Sequence, residues 1–353
     1  MTQYPGYIVP TGDFIKEWME DNDINGAELS RRLDVSRKHV SELLHGKAPL
    51  SHEMALKLEY VTGVPARIWN LHEAGYREAL ARQRSEQDLV NQYERARDFP
   101  LAYLRKCGFI TAAPRDKTQT VQQLLQFFGL GTLDAFQPTW EKSAVAYRRS
   151  AIGREDVCAL ATWLHVAERT AALDSLPDYS RSTMEAALPE LRSLTIGEPS
   201  EAIREAQRHL RDCGVALTLV PAVRGLGIHG ATRWLHGHPL IQLSGLWKSD
   251  DQLWFTLFHE IAHVLLHDPK GLYLTDAGNA AEEEADEYAM RLLVPKEHEA
   301  KLPVVRNLAE VQRLAEELKV APSIVLGQAQ RRTGDYAWGH KLKRKVDISA
   351  VVA

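Results

Sequence analysis

Three histidines recur at four-residue intervals in "FTLFHEIAHVLLHD", residues 255–268: His259, His263 and His267, with Glu260 directly after the first. On an α-helix, residues four apart differ by about 40° around the axis and about 6 Å along it. The imidazoles of His259 and His263 can therefore converge on one cation. Neutral imidazole suits zinc, and a glutamate beside the first histidine lies on the flank where it can act on a water at that metal. Leu253, Leu257, Phe258, Ile261, Val264, Leu265 and Leu266 fill most of the remaining circumference, and a helix apolar nearly all round is buried. Buried imidazoles and a buried carboxylate are costly unless paired or coordinated, and a metal removes that cost. A chance HExxH on a solvated helix would have charged neighbours, which this one lacks. His267, just before "DPKG", is too far along to share the ion without distortion, so local pairing is expected of it.

A catalytic zinc usually takes three protein ligands and a water. "AAEEEADEYAMRLLVP" supplies carboxylates on the next helix, whose apolar face runs through Ala281, Ala285, Tyr288, Ala289 and Leu292. Glu282 lies close to that face and is the favoured third ligand, with Asp286 orienting a histidine from behind. Glu283 and Glu284 stay open as alternatives, since an acidic helix start also follows from dipole complementarity alone. Hydrolysis would further need a donor for an oxyanion. Arg233, His236, His238, Tyr273 and Tyr288 are candidates that the sequence does not rank, and Arg233 with Trp234 could equally support the core.

The elements that must position these groups occupy part of a chain of 353 residues, long enough for two or three domains. Hydrophobic residues make up 44% and charged ones 25%, the balance of a soluble globular protein. The net charge of −4 gives no global basic field, so any nucleic-acid contact must come from a local patch. No apolar run approaches a membrane span, and "MTQYPGYIVPTGDF" is not built like a signal peptide. Cys107, Cys158 and Cys213 lie far apart without a CxxC, which fits free thiols in a reducing cytoplasm.

Residues 11–80 read as short helices with apolar residues at three- and four-residue spacing, punctuated by Asn25, Ser36, Gly46, Ser51 and Gly63. Residues 82–98 are strongly charged and read as a solvated helix or connector, and 99–195 carry weaker helical patterns broken by prolines. From about residue 200 the pattern is helix, the strand "VALTLVPAV", the Gly- and His-rich loop "RGLGIHGATRWLHGHP", the strand "PLIQLSG" and then the histidine helix, an α+β arrangement. "PLIQLSG" is a candidate edge strand for an extended substrate. The basic tail, with Lys341, Lys343, Arg344 and Lys345, reads as a solvated end that could add phosphate contacts.

In "NGAELSRRLDVSRKHVSELLHGKAPLS", two short helices flank a turn at Asp34-Val35, packed through Ala27, Leu29, Leu33, Val35, Val40, Leu43 and Leu44. Ser36, Arg37, Lys38, His39, Ser41 and Glu42 are left at the start and outer face of the second helix, with Lys47 just beyond. In a helix-turn-helix these positions meet the major groove, where Arg and Lys can bond guanine edges and Ser and Lys47 phosphates. Residues 1–50 are net acidic, with six Lys/Arg against eight Asp/Glu. The acids concentrate in 13–23, however, and the basic groups in 31–38 and at 47.

"FTLFHEIAHVLLH", "EEEADEYAMRLLVP" and "GIHGATRWLHGHPLIQLSG" together resemble the ImmA/IrrE family of zinc metallopeptidases, over roughly residues 160–330. The family pattern ExxA[ND]xxA falls on Glu282, Ala285, Asp286 and Ala289. The resemblance implies a zincin-like, gluzincin-type fold, zinc held by His259, His263 and Glu282, Glu260 as general base, and site-directed cleavage of repressor proteins. The front of the chain resembles the Cro/repressor type of helix-turn-helix. "LLHGKAPLSHEMALKLEYVTGVPARIWNLHEAGYREAL" is more particularly similar to the HigA-type antitoxin domain, which implies operator DNA bound by a homodimer.

The expectation is thus a multidomain chain. An all-α helix-turn-helix domain spans 1–80, a helical connector 81–159, and an α+β metallopeptidase domain with a basic tail 160–353. Three functions compete. One is a cytoplasmic DNA-binding regulator that is also a zinc-dependent endopeptidase, acting on a repressor or toxin partner in stress or toxin-antitoxin control. Another is a HigA-like antitoxin or repressor whose zinc domain senses without proteolysis. The third is a peptidase whose front module recruits a homologous repressor by pairing rather than binding DNA.

Overall fold

A computed structural model describes residues 9–145, 154–275 and 280–346. The first eight residues of the stretch inspected for a leader lie outside the described residues. Contacts divide the chain into two units, Met1–Tyr93 with Pro114–Gln122, and Glu94–Ala113 with Gln123–Ala353. The first is helical and the second is α+β with a small mixed sheet.

The helical unit holds α1 (Thr11–Asp21), α2 (Gly26–Leu33), α3 (Arg37–Leu44), α4 (His52–Thr62) and most of α5 (Ala66–Ala96). Each break has a local cause. The Asn25 side chain accepts from the amides of Ala27 and Glu28, the Ser36 hydroxyl from His39 N, and the Ser51 hydroxyl from Met54 N, so three helix starts have their free N–H groups satisfied. Asp34 (φ 52°) and Gly63 (φ 73°) end α2 and α4 in the left-handed region. The periodic apolar residues converge on one core that includes Ile15, Leu29, Leu33, Val40, Leu43 and Leu58. Gly12 lets α1 touch the end of α3, since a Cβ there would lie 2.3 Å from the Leu44 carbonyl oxygen. Buried Glu73 on α5 ties the unit together by accepting from Thr11 Oγ1 (2.7 Å), Leu50 N (3.1 Å) and Arg77 Nε (2.7 Å). The charged segment that starts at residue 82 continues α5 as far as Ala96, one helix of 31 residues.

In the second unit, α6 (Leu101–Lys106), α7 (Lys117–Phe128, begun in the first unit), α8 (Phe136–Val145), α9 (Arg154–Thr170), α10 (Arg181–Ser193) and α11 (Pro199–Asp212) lead into the sheet. Its strands are β1 (Ala216–Leu219), β2 (Gly230–Leu235), β3 (His238–Leu243) and β4 (Leu272–Leu274), in the order β1-β3-β2-β4. β1 runs parallel to β3, and β2 is antiparallel to both β3 and β4. α12 (Asp250–Leu266) covers one face. The other meets α9, whose Trp163 and Leu164 carbonyls accept from Gln242 and Arg233. α13 (Ala280–Leu293), α14 (Lys296–Glu299), α15 (Leu308–Leu318) and α16 (Pro322–Thr333) complete the unit. Fourteen of the seventeen residues of α12 are buried, so it is the interior helix that its apolar circumference predicts. Each buried Leu or Phe on it contributes about 1.5–3 kcal/mol.

Three expectations need correction. The "RGLGIHGATRWLHGHP" loop contains β2, whose alternation Ala231-Thr232-Arg233-Trp234 runs into a two-residue hairpin at His236 (φ 52°) and Gly237 (φ 88°). Both turn residues adopt the positive φ that such a turn requires. β3, the core of "PLIQLSG", is internal, with β1 on one side and β2 on the other, so it offers no free edge to a substrate. The tail is not a solvated end either. Lys343 Nζ lies 2.7 Å from Asp251, and Arg344 Nε lies 2.8 Å from Asp250 Oδ2. The Arg344 amide donates to Asp250 Oδ1, its carbonyl accepts from Asp250 N, and its guanidinium donates to the carbonyls of Thr195, Ile196 and Gly197. Only Lys341 and Lys345 stay exposed.

Among the described residues no helix is long and apolar enough to cross a membrane. Cys107, Cys158 and Cys213 form no disulfide, and Cys158 and Cys213 are buried.

Candidate metal centre and helix-turn-helix

α12 and α13 pack together, and their facing sides bring His259, His263 and Glu282 to one point. One ligand atom from each lies within 4.8 Å of the others, and all three side chains are buried. His259 Nε2 is 3.0 Å from His263 Nε2 and 3.1 Å from Glu282 Oε2, and His263 Nε2 is 3.3 Å from Glu282 Oε1. Glu282 is the glutamate of the triplet that turns inward, because Ala285 and Ala289 on its face are fully buried; Glu283 and Glu284 are exposed.

Groups behind the cluster fix the rings. His259 Nδ1 lies 2.9 Å from Asp286 Oδ1, and Arg331 holds the other carboxylate oxygen at 2.8 Å. An ionised carboxylate can only accept, so Nδ1 is the donor and the free valence of Nε2 faces the cluster. His263 Nδ1 lies 2.9 Å from His267 Nδ1, and its ring stacks on Tyr273 (centroids 4.7 Å apart, planes at 15°). His267 ends α12 and reaches Glu284 at 3.3 Å, a local support as its position predicts.

Electrostatics make the point cation-seeking. Burial pulls His259 towards neutrality, but Asp286 and Glu282 outweigh it and lift the imidazole to about 10. Burial likewise opposes charge on Glu282 and Asp286, yet the histidines, and Arg331 for Asp286, hold both carboxyls below their usual range. Without a metal, a proton on His259 supplies the positive charge that these carboxylates demand. Two imidazole nitrogens and one carboxylate, aimed at each other inside an apolar domain, are the donor set that would hold a divalent ion of zinc's preference in its place.

Glu260 is fully buried against the sheet. Thr275 Oγ1 donates to its Oε1 at 2.5 Å and Thr232 Oγ1 to its Oε2 at 2.7 Å. Gly230 makes the approach possible, since a Cβ there would lie 2.3 Å from Glu260 Oε1. Burial pushes the Glu260 carboxyl upward, although His263, His259 and the two hydroxyls pull the other way. A cavity of about 290 Å³ is walled by Phe255, Thr275, Met290 and Arg331 among others; Thr275 and Arg331 reach Glu260 and Asp286, while His259, Glu260, His263 and Glu282 do not line it.

The other predicted residues divide. Tyr273 stands beside the cluster, its hydroxyl donating to the Asp268 carbonyl at 3.1 Å. Arg233 follows Thr232 on β2 and so points to the opposite face, where it donates to the Leu164 carbonyl (2.6 Å) and Glu168 (3.3 Å). His236 is exposed in the hairpin turn, and His238 Nδ1 lies 3.2 Å from the Gly214 carbonyl. Tyr288 packs against the core and feels Glu185 and Arg181 rather than the cluster. Thr232, Thr275 and Arg331 escape sequence reasoning. The alternation around Thr232 is a usable signal; the other two meet the site through contacts that no local pattern encodes.

In the helical unit, α2 and α3 are joined by Asp34-Val35-Ser36. Ser36, Arg37, Lys38, Ser41 and Lys47 are exposed at and around the start of α3, while His39 and Glu42 are half-buried. Lys38 and Glu42 approach at 3.8 Å, a loose surface pair. Arg31 and Arg32 both engage Glu28, whose carboxyl they hold below its usual range, Arg32 most strongly.

Residues 223–327 match the family described as IrrE N-terminal-like domain, a peptidase family whose members are typically metal-dependent. Over 64 residues the chain is 38% identical to the uncharacterized HTH-type transcriptional regulator YddM of Escherichia coli, which covers 18% of this chain and 68% of YddM.

Proposed function

Because the chain belongs to the family of the HTH-type transcriptional regulator YddM and also carries an IrrE N-terminal-like domain, we propose that it is a DNA-binding regulator with a zinc-dependent endopeptidase domain of zincin type. Its target would be a repressor or another protein partner. The observation that carries the reading is the convergence of His259 Nε2, His263 Nε2 and Glu282 beside a buried glutamate held by two hydroxyls.

Zinc bound by these three residues would supply a Lewis acid able to polarise a carbonyl and acidify a water. The protein's own groups do the rest. Asp286 and Arg331 hold the ring of His259, and His267 and Tyr273 hold that of His263. Glu260, a stronger base for its burial, takes a proton from the attacking water on a carboxylate oxygen and returns it to the leaving amine. Thr232 and Thr275 keep that carboxylate in one rotamer. A substrate would approach past Phe255, Thr275 and Arg331, which wall the cavity nearest to Glu260 and Asp286. At the other end, α3 enters the major groove as recognition helix, with Arg37 and Lys38 towards base edges and Ser36, Ser41 and Lys47 towards phosphates. A homodimer on a two-fold operator follows from the same mode.

Metal analysis of the purified protein should give about one zinc per chain. Glu260→Gln should keep the metal and lose cleavage of candidate repressors. A protein that takes up no zinc defeats the proposal. Equal behaviour of wild type and Glu260→Gln towards every candidate would make the metal domain a sensor.

A further inference from the structure

Segment 101–109, for which the sequence suggested no role, walls a cleft of about 910 Å³. The cleft runs along β1, at the sheet edge opposite β4 and the histidine cluster. Phe109, Leu176, Leu217 and Leu219 give it apolar walls. Its charged lining has one sign only: Lys106, Arg204, Arg208 and Arg211, with no aspartate or glutamate among the lining residues. Spacings of four and three place the three arginines on one face of α11, about 6 and 4.5 Å apart along its axis. All three are exposed. Arg208 pairs with Glu205 on its own helix while its side chain stays 70% exposed, and Arg211 donates to the Ser175 hydroxyl. Exposed pairings of this kind hold little energy, so an incoming anion can replace them. Strand addition is disfavoured, because Gln207 Nε2 already occupies the Leu217 carbonyl at 3.1 Å.

We infer that this cleft binds a small organic anion. Its phosphate or carboxylate head lies on the α11 arginines, and its apolar body lies against β1 and Phe109. Guanidinium forks match such heads in geometry and charge. The volume falls in the range of small-molecule sites, and a cationic mouth raises the local concentration of an anion. The site shares no residue with the metal cluster, so it stands whether or not the chain is a peptidase.

Calorimetric titration of the full chain with 1-naphthyl phosphate, 1-naphthoate and neutral 1-naphthol tests it, since the three share one apolar body. Both anions should bind saturably below about 1 mM, the phosphate about tenfold more tightly than the naphthol. Arg208→Ala with Arg211→Ala, both exposed, should weaken the phosphate by about tenfold and leave the naphthol unchanged. Ala172→Trp, which fills the cleft from an exposed lining position, should abolish binding of all three. Equal affinity for phosphate and naphthol, unchanged phosphate affinity in either variant, or no saturable binding of either anion overturns the inference. So does binding of a polyglutamate peptide without either naphthyl anion, which would mean strand addition at β1.

Discussion

Gly230→Ala tests how tightly the proposed base is held. A methyl at Gly230 would lie 2.3 Å from Glu260 Oε1, 2.9 Å from its Cδ and 3.0 Å from its Cγ, about an ångström inside ordinary contact at the oxygen. The carboxylate has no cheap retreat. It is fully buried, and each oxygen already accepts a threonine hydroxyl. Either β2 lifts away from α12 or the carboxylate leaves its hydroxyls. Overpacking of this size costs about 1–3 kcal/mol, and a hydrogen bond lost from a charged group about 1.5–3 kcal/mol. Whichever response is cheaper, a destabilisation of about 1–3 kcal/mol follows, read as a lower urea midpoint. Displacing a base by about 1 Å costs on the order of 100-fold in rate, so cleavage should fall while zinc stays, because Glu260 is not among the proposed ligands. Gly75→Ala is the control: no atom lies within 4 Å of its added Cβ and it sits in helix α5, so it should stabilise by up to about 1 kcal/mol. A Gly230→Ala protein as stable as wild type, with wild-type cleavage, would refute the pinned carboxylate.

Other outcomes follow from the same geometry. Arg344→Ala leaves the fully buried Asp250 carboxylate without its cation, and should cost about 3–5 kcal/mol by urea denaturation; Arg344→Lys, lacking the fork, should recover only part. Asp286→Asn removes the charge behind His259 and should weaken zinc by about 10–100-fold in a chelator competition. His165 above all, with Arg233, holds Glu168 below its usual pKa against the opposing effect of burial. Its stabilising contribution is therefore present above the unfolded carboxyl pKa and is lost as pH falls through the lower folded value. Glu168→Gln should flatten the acid limb of stability against pH and leave the alkaline limb alone. Arg37→Ala with Lys38→Ala should weaken operator binding in gel shifts and relax discrimination against altered base pairs, whereas Lys47→Ala should make the slope of log K against log salt shallower by about 1.

The helices and the inward face of α12 were legible because their signals are local. Asn25, Ser36 and Ser51 cap within three residues, and a spacing of four fixes the relation of His259 to His263 on any helix. Glu282 could be favoured over Glu283 and Glu284, which stayed open, because alanines mark the apolar face of α13. What stayed hidden depends on residues far apart in the chain. β2 looked like a loop because its glycines and histidines cluster at its ends, and without the strand's alternation nothing decided between the site and the core for Arg233. Arg331 and Arg344 looked like a basic tail because nothing in "RRTGDYAWGHKLKRKV" records that Asp286 and Asp250 wait for them. The cleft along β1 is written in no motif, since its wall at 101–109 and its arginines at 204–211 meet only when folded.

The bond between Arg344 and Asp250 also orders events in time. It joins residues 94 positions apart, so the first turn of α12 cannot be locked until a distant piece of chain has been made. The helix-turn-helix core closes over shorter separations, 62 positions between Thr11 and Glu73 at the widest of its side-chain hydrogen bonds. Local pairings form fast and distant ones slowly, and a ribosome delivers the amino-terminal part first. A newly made molecule would thus complete its amino-terminal helical core while the histidine helix is still unlatched.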